Sequence, residues 1–386
     1  MILPGLMAAQ ALALSSAPLM VFVGGLIGAS LHSDPSLATL PVAVMIIGMA
    51  SGVWPAARLS ALVGRRRLFT GAMILGALAA VAAGLAVQAG SFWGFTLASF
   101  AFGLVGAVVQ QFRFLAMSLV PADQQASAAS KLLLAGLVSA FIGPELATLA
   151  DFWPELGYLA SFLGLSGYML AAALILFFVV PDQTQINSAG PDQPPRTWPQ
   201  LLKQPDLVLA MSSAAVAYVV MAFVMTATPL SMTTLAGHSV AEAKWIIQAH
   251  IVAMFLPSLL TGRLVNRFGL YPVMRSGLLI LLISLIAGYV DASLLHYGVA
   301  LVALGLGWNF LFVTGTALLA RCYTERDAAK VQGANDLLVF GTQAVGSLAS
   351  GAVLLVFGWQ SLLLIAGAGV IWLLAVILWH RQRMVS

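Results

Sequence analysis

Apolar and polar positions divide this chain into long blocks. Predominantly apolar runs of about 20 to 28 residues, separated by turn signals, recur near 8–30, 37–57, 68–88, 92–119, 128–149 and 157–180, and again near 207–234, 241–262, 271–291, 295–320, 329–356 and 358–379. A helix needs about 20 apolar residues to cross a hydrocarbon core about 30 Å thick. The pattern therefore predicts an all-α polytopic membrane protein with twelve transmembrane helices. Between the two sets of six lies PDQTQINSAGPDQPPRTWPQLLKQPD, polar and proline-rich, too short for a domain and too polar to cross. The expected organisation is an N-terminal six-helix bundle over 1–181, a cytoplasmic linker over 182–206 and a C-terminal six-helix bundle over 207–386.

Composition agrees with the pattern. Of 386 residues, 61% are hydrophobic and 8% charged, and the mean hydropathy is +1.00, where a soluble protein carries about a quarter of its residues as charges. The basic balance, with a pI of 9.4, reflects where the cations sit and implies no nucleic-acid partner. With both termini cytoplasmic, Arg58, Arg65–Arg67, Lys131, Arg196, Lys203, Arg263, Arg267, Arg275, Arg321, Arg326, Lys330, Arg381 and Arg383 fall inside or at the inner boundary. Only Lys244 falls outside, and Arg113 lies within a span. The first basic residue is Arg58, so the N-terminal run lacks the charged start of a cleavable signal and reads as a span. One cysteine, Cys322, excludes an internal disulfide and a thiolate metal site. No nucleotide loop, zinc-protease or nucleophile motif occurs, so no enzyme is expected and no cofactor is implied.

The halves repeat. AARLSALVGRRR from Ala56 aligns with TGRLVNRFGLYP from Thr261 at an offset of 205, and PADQQASAAS from Pro121 corresponds to TERDAAKVQG from Thr324. Parallel six-span repeats place a substrate site at midplane depth. On these basic loops and on Arg113 in the fourth span, the chain resembles a major facilitator superfamily transporter over its whole length. The loop's usual aspartate is replaced by Ala61 and Asn266.

Soft ligands supply the first candidate chemistry. Met221 and Met225 lie four apart in the seventh span, His250 and Met254 four apart in the eighth. Each pair shares a helical face, and both fall near mid-membrane between the flanking charges. Thioethers with an imidazole suit Cu(I). MxxxM in the seventh helix with HxxxM in the eighth resembles the CcoA-like copper importers, a branch associated with supplying copper for cytochrome oxidase assembly. That resemblance implies copper as substrate, import across the bacterial inner membrane and a cytoplasmic copper acceptor protein as partner; a single chain with two bundles is sufficient for transport, so a monomer is expected. The residues alone allow export as well. The repeat offset carries Met45 onto His250, Met49 onto Met254 and Met20 onto Met225, suggesting Met20, Met45 and Met49 as a secondary relay.

Met also fills cores, and the same broad branch contains riboflavin carriers. The alternative is therefore an organic solute such as riboflavin, held by Trp308, Asn309 and Phe310 in the tenth span. Arg113, Glu145 and Asp336 are charges within spans and so candidates for coupling or gating. His32, His238 and His296 fall in predicted outer loops, where copper would enter.

Overall fold

The computed structural model describes residues 2–112, 115–116, 132, 134–182 and 196–385. Among them every regular element is helical. The chain forms two compact units, Met1–Asn187 and Ser188–Ser386. The first contains α1 (Ile2–Leu14), α2 (Ser16–Leu31), α3 (Leu40–Val63), α4 (Arg65–Gln88), α5 (Phe92–Val109), α6 (Ala135–Ala147), α7 (Leu149–Phe152) and α8 (Tyr158–Val179). The second contains α9 (Trp198–Leu202), α10 (Pro205–Leu230), α11 (Val240–Phe255), α12 (Ser258–Phe268), α13 (Leu270–Val290), α14 (Leu294–Leu319) and α15 (Glu325–Val385).

Among the described residues, ten helical runs are long and apolar enough to cross a membrane, or eleven when the bent pair α11 and α12 is counted as one span, rather than the expected twelve. Part of the difference is a junction. The last two expected spans form a single run, Lys330–Arg383, of 54 residues, which at 1.5 Å per residue would extend about 80 Å. Gly358, at φ +82° and ψ 173°, breaks it into arms 325–357 and 359–385. The second arm starts pinned to the end of α13, with the Trp359 indole donating to the Gly288 carbonyl at 3.0 Å.

The eighth expected span is also divided. Pro257 cannot donate a backbone hydrogen bond, and its ring clashes with the preceding turn, so α11 and α12 meet at 41°. A carbonyl released by the break finds a side-chain partner: Asn309 Nδ2, from α14, donates to the Met254 carbonyl at 2.7 Å. This is how proline is accommodated in an apolar environment, where an unsatisfied backbone group is costly.

In the second unit α10 packs along α14 and the arms of α15, while α11 packs along α14. Gly305 permits the latter contact: a methyl there would sit 2.5 Å from the His250 carbonyl oxygen and 3.0 Å from the Met254 amide nitrogen. The first unit repeats the arrangement, because a methyl at Gly103 on α5 would collide with the Met45 carbonyl oxygen and the Met49 amide nitrogen of α3. The sequence correspondence of Met45 with His250 and Met49 with Met254 is thus reproduced in the packing.

The connector is not free throughout. Residues 183–195 lie outside the described part, but Arg196 is fastened to the second unit. Its backbone N–H and its Nε donate to the two Asp327 carboxylate oxygens at 2.7 and 2.6 Å, and Nη2 donates to the Cys322 carbonyl at 3.0 Å. Lys330 Nζ returns a bond to the Arg196 carbonyl at 2.6 Å. A second polar cluster joins the starts of α10 and α13 to the end of α15: His380 Nε2 lies 2.6 Å from Asp206 Oδ1, which also accepts from the Tyr271 hydroxyl at 2.8 Å.

Candidate functional site

The soft-ligand residues are all buried, but they belong to different packing surfaces. Met221 and Met225 lie on α10, His250 and Met254 on α11. α10 and α11 touch each other little: α10 packs mainly on α15 and then on α14, α11 on α14. The His250 ring is directed at α14, where Nδ1 lies 2.7 Å from the Leu301 carbonyl. In the first unit Met20 is fully buried with its methyl beside Gly24, Met45 is buried, and the half-buried Met49 lays its sulfur over Gly106 of α5. These are packing contacts of the kind flexible thioethers make in cores.

The histidines expected at an entrance have local partners. His32 lies against Phe92, with ring centroids 4.7 Å apart and planes tilted by 53°, and its Nδ1 accepts from the Asp34 amide. His238 Nε2 lies 2.8 Å from the Ala292 carbonyl, and His296 lies beside Asp291 and Ser293. Of the intramembrane charges, Glu145 is exposed, and Asp336 is half-buried beside Asn335, whose amide donates to it at 3.3 Å. Arg113 lies outside the described residues.

The expected trio Trp308, Asn309 and Phe310 separates, because consecutive residues on a helix point about 100° apart. Asn309, with no solvent exposure, donates to the Met254 carbonyl and to Ser258 Oγ at 2.6 Å, and its Oδ1 accepts from Thr261 at 2.7 Å. In this structure its amide is engaged at the Pro257 break. Phe310 lies beside Gly277 of α13, two residues on from Trp308 and so on a different side of α14.

Trp308 remains, at the junction of α10, α11 and α14. Its ring stacks on Phe312, one turn along, with centroids 5.1 Å apart and planes at 19°. It meets Tyr218 of α10 edge-on at 5.2 Å and Phe255 of α11 at 6.1 Å. Tyr218 also contacts Phe312 at 5.2 Å and Phe340 of α15 at 5.9 Å. Tyr218, Phe255 and Phe312 are each only half-buried. Within this aromatic wall the Trp308 indole N–H is buried and has no hydrogen-bond partner, which costs free energy unless something accepts from it. Nearby α15 carries two further buried amides, Asn335 and Gln343, whose side-chain oxygens lack donors. Gln343 is three residues from Phe340 and shares its helical face.

Sequence reasoning missed Tyr218, Phe255, Phe312 and Phe340 because they come from four separated stretches. The only local signal was the i, i+4 spacing of Trp308 and Phe312. A different recess, of about 200 Å³, lies between α10 and the arms of α15, lined by Val219, Val220, Phe223, Val345, Gly346 and Ile365 among others. The side chains that line it are all apolar.

Compared with known proteins, the chain matches the profile of the Major Facilitator Superfamily over residues 6–235 and 210–384. It is 37% identical to the riboflavin transporter RfnT of Brucella anthropi over 360 residues, covering 92% of this chain and 89% of that protein. It is 30% identical to the uncharacterized MFS-type transporter YdeG of Bacillus subtilis, covering 94% of this chain and 88% of that one. Among solved structures, the nucleoside transporter NupG superposes with a TM-score of 0.75 over 98% of this chain and 100% of its own, at 14% identity, a likeness of fold.

Proposed function

Because the chain belongs to the Major Facilitator Superfamily, we propose that this secondary transporter carries a planar aromatic organic solute, riboflavin foremost, across the bacterial inner membrane by alternating access. The observation that carries the reading is the unpartnered Trp308 indole N–H inside a wall of half-buried aromatic rings. A flavin ring supplies what that wall lacks: an extended π face to stack on the rings and carbonyl acceptors for the indole. Pockets of this type, mostly apolar with few polar groups, are the usual form of small-molecule sites. The 37% identical relative named as a riboflavin transporter supports the same solute class.

Copper import has less support. The named relative points to an organic solute, and the two soft-ligand pairs sit on helices that touch each other little. With copper recede the relay of Met20, Met45 and Met49 and the cytoplasmic copper acceptor.

The test is counterflow of labelled riboflavin in liposomes containing the purified protein, which needs no assumption about physiological direction. Protein-dependent exchange that unlabelled riboflavin competes and copper does not is the expected result. Copper flux with no flavin exchange would overturn the proposal.

A further inference from the structure

His250 has a fixed tautomer. The Leu301 carbonyl can only accept a hydrogen bond, so Nδ1 is the nitrogen that carries the proton at 2.7 Å from it. Nε2 is then a pure acceptor. It is fully buried and has no partner, while Trp308 Nε1 is a pure donor in the same condition.

The two atoms are related through α14. Leu301, which anchors the imidazole, and Trp308 are seven residues apart, so they lie on one face of the helix, separated by about 10 Å along its axis. A solute that satisfies both must combine a ring able to rest on the Trp308 wall with a hydroxyl donor carried some distance from it. A flat ring alone reaches only the first.

We propose that His250 Nε2 accepts a hydrogen bond from the hydroxylated chain of an aromatic solute whose ring lies against Trp308, making His250 the residue that selects ring-plus-polyol solutes over bare rings. The inference rests on the organic-solute reading above. Riboflavin, with its ribityl chain, belongs to the selected class; lumiflavin, the same ring with a methyl in place of that chain, does not.

The experiment compares binding of riboflavin and lumiflavin to purified wild type, His250→Asn and His250→Gln. Asparagine can keep the donor to Leu301 but has no acceptor at the Nε2 position, whereas glutamine places its amide oxygen there. Wild type is expected to prefer riboflavin by about tenfold or more, the worth of a buried hydrogen bond. That preference should largely vanish in His250→Asn, through weaker riboflavin binding with lumiflavin unchanged, and return in His250→Gln. Equal binding of the two flavins by wild type would overturn the inference while leaving the flavin reading intact, without recourse to any variant. An equal loss of both flavins in His250→Asn would also overturn it, assigning the histidine to packing. Failure of wild type to bind either flavin would remove the proposed function and this inference together.

Discussion

Gly64 and Gly269 hold the same backbone conformation at equivalent points of the two halves: φ 83° and ψ 151° at Gly64, φ 88° and ψ 165° at Gly269. They stand 205 residues apart in the aligned basic segments, and each closes one helix and opens the next, α3 into α4 and α12 into α13. This region of dihedral space is essentially restricted to glycine. The repeat visible as AARLSALVGRRR and TGRLVNRFGLYP is therefore a repeat of a turn. Gly64→Ala and Gly269→Ala should each lower stability by about 1–3 kcal/mol, read as earlier thermal unfolding in detergent. Gly262→Ala, at a helical glycine with open space around its Cα, should be neutral or slightly stabilising.

The docking of Arg196 on Asp327 makes the end of the connector a part of the second unit. Burial of the Asp327 carboxyl pushes its pKa up, but hydrogen bonds from Arg196 and Thr324 and the Arg196 charge outweigh this and hold it at about 2, below its ordinary 3.8. A depressed folded value means the attachment is at full strength above pH 3.8 and weakens as pH falls from there towards 2. At neutral pH, Asp327→Asn should free the segment and raise hydrogen exchange over 196–202.

Cys322 reports the same contact, since its carbonyl accepts from Arg196. Burial first, with the Asp206 carboxylate nearby, pushes its thiol up to about 11, so little thiolate exists at pH 7.5. Maleimide labelling of this sole cysteine should be slow in wild type and severalfold faster in Asp327→Asn. Unchanged labelling together with unchanged exchange would mean that the strap carries no weight.

How much of this was legible in the sequence follows from the range of each interaction. Apolar runs, the repeat and the polar connector are properties of contiguous residues, and hydropathy marks them, but not the number of helices: ten or eleven helical runs among the described residues stand against the twelve expected. The bend at Pro257 is a local rule that length alone concealed, because 241–262 is long enough for one span. The role of Asn309 depends on that bend, and an amide at depth looks the same in sequence whether it faces a solute or repairs a helix. The methionine and histidine pairs were legible as faces but not as partners: spacing fixes which side of a helix a residue occupies and says nothing of which helix lies opposite. The Trp308 wall was invisible for the converse reason, since Tyr218, Phe255, Phe312 and Phe340 meet only after folding.

Asn309 separates structure from recognition. Replacing it with Ala or Leu leaves the Met254 carbonyl without its side-chain donor and removes the bonds to Ser258 and Thr261. The expected cost is about 1–3 kcal/mol or more. Thermal stability should fall and flux should fall in proportion to folded protein, with apparent affinity for solute unchanged in the fraction that remains. A selective change in affinity at full stability would restore Asn309 as a ligand.

The central claim is that a flavin ring rests on the Trp308 wall and accepts the indole proton. Trp308→Phe keeps an aromatic face and deletes the donor together with the five-membered ring that carries it, so the most direct measurement is equilibrium riboflavin binding to purified wild type and Trp308→Phe, with copper offered to both under the same conditions. Wild type is expected to bind riboflavin, the variant to remain folded and bind it about five- to fiftyfold more weakly, and copper neither to compete nor to bind in proportion to protein. Riboflavin binding that is absent from wild type, or undiminished in Trp308→Phe, would contradict the claim.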